Sequence, residues 1–261
     1  MTTLEPLLDD SARWTALGRA DSRVAADADY MGGISRLVVG DPDGAAAWLR
    51  LATDTPDVPP RIRRALAQVE LARGEIDAAR ELLDDGEGAA LLDRALLLLA
   101  ALRAGDIDDA GRRAADLEKR LAQENGGNPL TEAGVHAQLG FVLVELGEAE
   151  RATRAADAIA HLAVDSPATL PLAAHERVIR AGARRLAGDL DGAAASLDAL
   201  GGSLTEATCD RGLAEREDAR LQRAREREAA AQDAFDAAVR TFDAAGERWL
   251  AAATRREAGA A

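Results

Sequence analysis

Apolar residues along this chain recur at the three- and four-residue steps of a helix, and no run alternates cleanly enough to form a strand. The pattern predicts a leading helix over Asp9–Ala20 and then five helix pairs. These run about 21–39 with 43–53, 60–73 with 76–84, 89–104 with 107–123, 130–146 with 149–163, and 170–187 with 190–199. Turn-forming residues separate the pairs: Asp57-Val58-Pro59-Pro60, Asn125-Gly126-Gly127-Asn128-Pro129, Asp165-Ser166-Pro167 and Gly201-Gly202-Ser203. Ser203 and Glu206 stand at capping-box spacing and open a long charged helix. Within it, Arg211 to Glu228 reads as a solvated face laced by Arg–Glu pairs. Ala230–Ala245 and Glu247–Ala258 close the array, with Phe235, Phe242 and Trp249 spaced seven apart along one apolar stripe, as a C-terminal cap. The chain is all-α, in three regions: a leading or capping helix in 1–20, five helix pairs in 21–200, and closing helices in 201–261.

Each predicted pair is joined by the same short phrase: glycine, acid, any residue, acid, any residue, alanine. It starts at Gly40, Gly74, Gly105, Gly147 and Gly188, at spacings of 34, 31, 42 and 41 residues. Independent placement would give roughly 0.2 copies, so the five mark an internal repeat. Glycine just past a helix adopts the left-handed conformation that closes it at least cost. The acids fall at the start of the next helix, where free N–H groups and the helix dipole favour negative charge. The alanines (Ala45, Ala79, Ala110, Ala152 and Ala193) sit in the first turn of the second helix, where a small side chain lets the pair pack closely. One turn further along that face lie Leu49, Leu83, Ala114, Ala156 and Leu197.

From roughly Asp21 to Ala199 this turn and its spacing resemble tetratricopeptide repeats, helix-turn-helix units of about 34 residues stacked into a right-handed superhelix, an α-solenoid. Two features depart from that family: the aromatics of its first helix are mostly missing, and the last two periods are seven or eight residues longer than its 34. Longer Ala/Arg-rich repeats of this kind are similar to the helical arrays inside large bacterial transcriptional regulators.

Composition fits the helical reading, with 62 alanines against seven aromatics in 261 residues. A net charge of −14 disfavours nucleic-acid backbones and anionic membranes as partners. Cys209 is the only cysteine, which excludes an internal disulfide framework. The acidic Met1–Asp10 segment and the shortness of the longest apolar run, Ala95–Leu102, lead us to expect a soluble, cytoplasmic chain.

Motifs for chemistry are sparse. Gly86-Glu87-Gly88 lacks the third glycine and the preceding strand of a dinucleotide site. Gly33-Ile34-Ser35-Arg36-Leu37 lacks the second glycine of a nucleophile elbow. His136, His161 and His175 fall on different helices, so no metal and no cofactor is expected. Cys209 reads as a structural thiol. The chain is read as a non-enzyme.

The resemblance implies a binding surface instead, on the concave face lined by the first helix of each pair. Stepping back 13, 10, 6 and 3 residues from each glycine follows one helical face. From Gly74 that face carries Arg61, Arg64, Gln68 and Leu71, and from Gly105 it carries Leu92, Ala95, Leu99 and Leu102. Gly147 gives Gly134, Ala137, Phe141 and Val144. Gly188 gives His175, Val178, Gly182 and Arg185, and Gly40 gives Asp27, Tyr30, Ile34 and Leu37. An apolar centre (Leu99, Leu102, Phe141, Val144) flanked by Arg61, Arg64, His175 and Arg185 suits a protein or peptide with apolar anchors and acidic ends. The alternative is that Leu96–Leu99 and Phe141–Leu143 pack between helices and leave little groove. Arg177, Arg180 and Arg184 are expected to form a solvated stripe. The lysine and asparagine clamp with which the family holds acidic chaperone tails is missing from these positions. Function is therefore expected to be a peptide- or protein-binding scaffold, with a ligand-sensing or regulatory array as the alternative. The first 20 residues either cap the array or lie in its groove.

Overall fold

A computed structural model describes residues 22–53, 58–86, 88–123, 128–162, 170–201 and 208–259, and among them finds thirteen α-helices and no strand. In chain order these are α1 (Ser22–Val38), α2 (Pro42–Thr53), α3 (Pro60–Arg73), α4 (Ile76–Glu81), α5 (Leu91–Arg103), α6 (Ile107–Gln123) and α7 (Pro129–Glu145). They continue with α8 (Ala149–Leu162), α9 (Leu170–Leu186), α10 (Leu190–Asp198), α11 (Cys209–Ala224), α12 (Glu228–Ala244) and α13 (Arg248–Ala258). The leading helix expected at Asp9–Ala20 and the capping pair Ser203–Glu206 lie outside the described residues. Thr208 caps the start of α11, its side chain accepting from the Arg211 N–H.

The five motif glycines all take positive φ, from 77° to 89°. At each, the residue that follows donates its N–H to the carbonyl five positions back: Asp41 to Arg36, Glu75 to Glu70, Asp106 to Ala101, Glu148 to Leu143 and Asp189 to Arg184. This six-to-one bond satisfies a carbonyl that the helix end would otherwise leave unpaired. Asp41, Asp106 and Asp189 then cap the next helix, accepting from Gly44, Asp109 and Gly192 at 2.9 Å. The alanine five residues past each glycine is buried to within 1%.

Two more turns have the same bond without the full motif. Arg227 donates to Gln222 and Glu247 to Phe242, and Ala231 and Ala251 fill the alanine site, fully buried. At the first, Glu226 replaces the glycine at φ 59° and Arg227 replaces the first acid. At the second, Trp249 stands where the second acid would be.

The odd-numbered helices α1 to α11 pack in succession, each on the next, while the even-numbered ones lie against them on the outside. This is a tetratricopeptide-like α-solenoid. The largest core spans α5 to α9, around Leu98, Leu117, Leu139, Leu143, Ile159 and Ile179. The last helix breaks the alternation. α13 leaves α12 and returns to α3, on the inner side of the array.

Left-handed φ costs a side-chain-bearing residue about 1–2 kcal/mol. Glu226→Gly is therefore expected to raise the unfolding free energy by about 1 kcal/mol in urea titrations. Gly105→Ala should lower it by about the same amount, although an added methyl would meet no atom within 4 Å. Unchanged stability in both variants would remove conformational strain as the reason for the glycines.

Candidate functional site

The residues expected on the inner face fall into two groups. Arg64 is locked on Asp93 of α5 through two parallel bonds, Nε to Oδ1 at 2.8 Å and Nη2 to Oδ2 at 2.9 Å. Arg61 pairs with Asp27 of α1 and lies 5.9 Å from the centre of the Tyr30 ring. Arg185 pairs with Glu217 of α11, and His175 Nε2 meets Asp210 Oδ1 at 2.6 Å on the same helix. Phe141 stands edge-on to His175, with ring centres 5.4 Å apart. Val144 is buried against Gly182, where a Cβ would fall 2.7 Å from its methyl, and Leu102 packs half-buried on the α5–α9 core. These side chains join one inner helix to the next. Gln68 and Leu99 are different: both line a central cavity. The expected solvated stripe is also engaged. Arg177 donates to the Ala199 carbonyl, Arg180 pairs with Asp157 and Glu176, and Arg184 donates to the Gly192 carbonyl and Ser196 Oγ.

The central cavity measures about 460 Å³ and draws its walls from α1, α3, α5, α7, the start of α11 and the turn into α13. Leu37 of α1, Leu71 and Ala72 of α3, and Leu96 and Leu99 of α5 supply its aliphatic lining. Its polar atoms come from Gln68, Arg103, Gln138, Thr208 and Glu247, beside Cys209. Glu247 belongs to the turn into α13, so the returning helix supplies one wall of this half-open cavity. Trp249 fixes that turn: its Nε1 donates to the Arg103 carbonyl at 3.0 Å, and the Arg103 guanidinium stacks 5.1 Å from its ring centre. Trp249 packs on the closing-helix cluster around the fully buried Phe242 and also reaches across to Arg103 of α5. The turn is also seated on the first motif turn, since a Cβ on Gly246 would fall 2.6 Å from Pro42 Cδ.

Electrostatics in the cavity are under-compensated. Arg103 Nη2 and Glu247 Oε2 are 3.7 Å apart, an ion pair too long for a hydrogen bond. Burial lowers the Arg103 pKa and raises that of Glu247, in both cases against the pull of the opposite charge. Burial also pushes the Cys209 thiol well up, keeping it protonated. Arg103 Nε, Gln138 Oε1 and Glu247 Oε2 are buried and make no hydrogen bond. The sequence pattern passed over Arg103 and Glu247. Arg103 reads as a basic residue closing a helix, and Glu247 as the acid of an incomplete motif.

The far end of α13 is held differently. Glu257 and Glu145 of α7 flank two arginines of α11: Arg220 reaches Glu145 at 2.8 Å and Glu257 at 2.6 Å, and Arg216 reaches Glu257 at 2.7 Å. Together the guanidiniums overcome burial and hold the Glu145 carboxyl at about 2. At its near end, α13 is tied to α2 by Arg248 and Asp43. Val144 and Arg185 lie in the shallow pocket beside the glutamate–arginine cluster.

No protein-family model matches the sequence, and no curated protein matches it significantly. Solved structures do. A structure described as phAimR with ligand aligns over 90% of this chain and 67% of its own, at 12% identity and a TM-score of 0.65. Yeast Tom70 aligns over 97% of this chain and 57% of its own, at 15% identity and a TM-score of 0.46. A tetratricopeptide repeat protein from Parabacteroides merdae aligns over 88% and 98%, at 13% identity and 0.40. At these identities the likeness is one of fold. Among the described residues no helix is long and apolar enough to cross a membrane.

The Glu145 carboxyl is depressed in the folded chain, so its stabilisation is present above pH 4.5 and is lost as pH falls toward 2. Its side chain is 27% exposed, so solvent screens part of the attraction. Glu145→Gln should lower the unfolding free energy by about 2 kcal/mol at pH 7, and the gap from wild type should close toward pH 2. A gap independent of pH would show that the pairing with Arg216 and Arg220 is not its source.

Proposed function

We propose that this protein is a non-enzymatic, cytoplasmic binding scaffold that takes a short peptide on its inner face, with the peptide's apolar anchor in the central cavity. The observation that carries the reading is that cavity. It joins aliphatic walls from α1, α3 and α5 to a few polar side chains, Gln68, Arg103, Gln138 and Glu247, a combination typical of ligand pockets of 300–1,000 Å³. Arg61, Arg64 and Arg185 are already paired with Asp27, Asp93 and Glu217, so support for a partner rests on the apolar residues rather than on acidic ends. The non-enzymatic reading is supported by the protonated Cys209 thiol and by the placement of His136, His161 and His175 on α7, α8 and α9. A ligand-sensing array is the second reading. The contact of α13 with α3 favours it, because an occupant of the cavity would touch the turn that seats α13.

A thermal-shift screen of short peptides against wild type and Leu99→Asp tests the proposal, since a carboxylate would put charge on the aliphatic wall that holds the anchor. A peptide at a hundred times its Kd should raise Tm by about 5–10 °C in wild type and by little in the variant. Peptides that stabilise both forms equally would place binding elsewhere, and a library with no hit would remove the peptide reading.

A further inference from the structure

Beyond its packing on α12, α13 directs its polar groups at inner helices. Trp249 Nε1 donates to the Arg103 carbonyl of α5, and the capping Glu247 stands beside the Arg103 guanidinium. Glu257 pairs with Arg216 and Arg220 of α11, and Arg223 of the same helix donates to the Glu257 carbonyl at 3.0 Å. Between these ends, Leu250 and Ala251 pack with Phe242 and Ala238 of α12. The helix therefore lies over the inner face as a bound peptide would. It carries a glutamate at each end, ten residues or about 15 Å apart, and an aromatic ring two residues after the first.

The face beneath α13 would be short of negative charge without it. Arg103 would keep only the Leu71 carbonyl as a partner, and Arg185, Arg216 and Arg220 would share Glu145 and Glu217, three guanidiniums for two carboxylates. The seating of α13 is also poorly satisfied. Of the eight buried polar side-chain atoms without a hydrogen bond among the described residues, two belong to α13 and its cap, Glu247 Oε2 and Thr254 Oγ1. Two more, Arg103 Nε and Arg223 Nε, belong to arginines in contact with it. Unpaired buried groups subtract from what docking gains, and partly exposed ion pairs weaken with salt. A helix seated in this way can be displaced by a segment that fits better.

We propose that α13 is an internal stand-in for a partner. The inner face from Arg103 to Arg220 docks a helix of another protein that carries an acidic residue at each end, ten positions apart, and an aromatic residue near the first. α13 occludes that face until such a helix displaces it. Docking here needs no occupant in the central cavity.

The test is fluorescence anisotropy on the full chain with a labelled peptide of residues 247–258, and with a second peptide carrying Glu247→Lys and Glu257→Lys. Wild type is compared with Trp249→Ala/Glu257→Arg, which removes ties at both ends of α13 and leaves the face beneath it unchanged. The opened variant should bind the first peptide at least ten times more tightly than wild type, and adding Arg220→Gln should remove most of that gain. The lysine peptide should bind neither form. Equal binding of the two peptides overturns the charge match. An opened variant that melts cooperatively yet binds no more tightly than wild type makes α13 a fixed part of the array and overturns the displacement. Dimers of the opened variant in sedimentation runs, with no uptake of peptide, would make a second copy the occupant and overturn it equally. Should the opened variant fail to fold, hydrogen exchange in wild type decides. Amides of α13 that exchange at least ten times faster than those of α3 and α11 support displacement, and amides that exchange in step with them overturn it.

Discussion

One backbone conformation governs this molecule: a left-handed residue after a helix, followed by an N–H that bonds back across five positions. It occurs at Gly40, Gly74, Gly105, Gly147, Gly188, Glu226 and Gly246. Each instance reverses the chain and delivers a buried alanine into the first turn of the next helix. A methyl at that point lets two helices approach at the short end of the usual range of interaxial distances. The rest follows from the spacing. Inner helices stack on inner helices, and seven aromatic residues suffice for 261 positions because alanine and leucine fill the gaps.

Arginine supplies the second regularity. Several pairs that hold the array lie about one repeat apart in sequence: Asp27 with Arg61, Arg64 with Asp93, Asp85 with Arg113, Glu118 with Arg151, Arg185 with Glu217 and Asp191 with Arg225. Flat guanidiniums make parallel bonds to a carboxylate, as Arg64, Arg113 and Arg151 do here, and a lysine could not. This accounts for arginines on the inner face of an acidic chain. They cross from each repeat to the next.

The repeat, the turn and the helix pairs were legible because each depends on residues within a few positions of one another. The pairing of Arg61 and Arg64 was legible in principle, since an acid stands one repeat away from each, but only once the stacking order was known. Two features were out of reach. The Glu226 turn hides behind a residue that seldom takes left-handed φ. The return of α13 to α3 depends on small rotations summed over the whole array, which no local pattern encodes. Phe242 and Trp249 share one closing-helix cluster even though the turn at Gly246 falls between them, and the second role of Trp249, its bond to the Arg103 carbonyl, has no signal in a seven-residue spacing.

The turn into α13 gives the half-open cavity one of its walls. In an open superhelix the inner face is a trough whose polar groups meet water, and an unpaired carboxylate there costs little. Here α13 is tied at both ends, to Asp43 and Arg103 on one side and to Arg216 and Arg220 on the other, so the turn carrying Glu247 is held against the cavity. Elsewhere buried charges in this chain find partners: Glu70 meets Arg50 and Arg73, and Arg216 meets two glutamates. Of the eight buried polar side-chain atoms without a hydrogen bond among the described residues, three belong to residues of this cavity's walls, Arg103, Gln138 and Glu247. The charges that cross from repeat to repeat are joined by short bonds, whereas Arg103 and Glu247 meet only at 3.7 Å, because the turn that carries Glu247 is positioned by Trp249, Arg248 and Gly246 rather than by that pair.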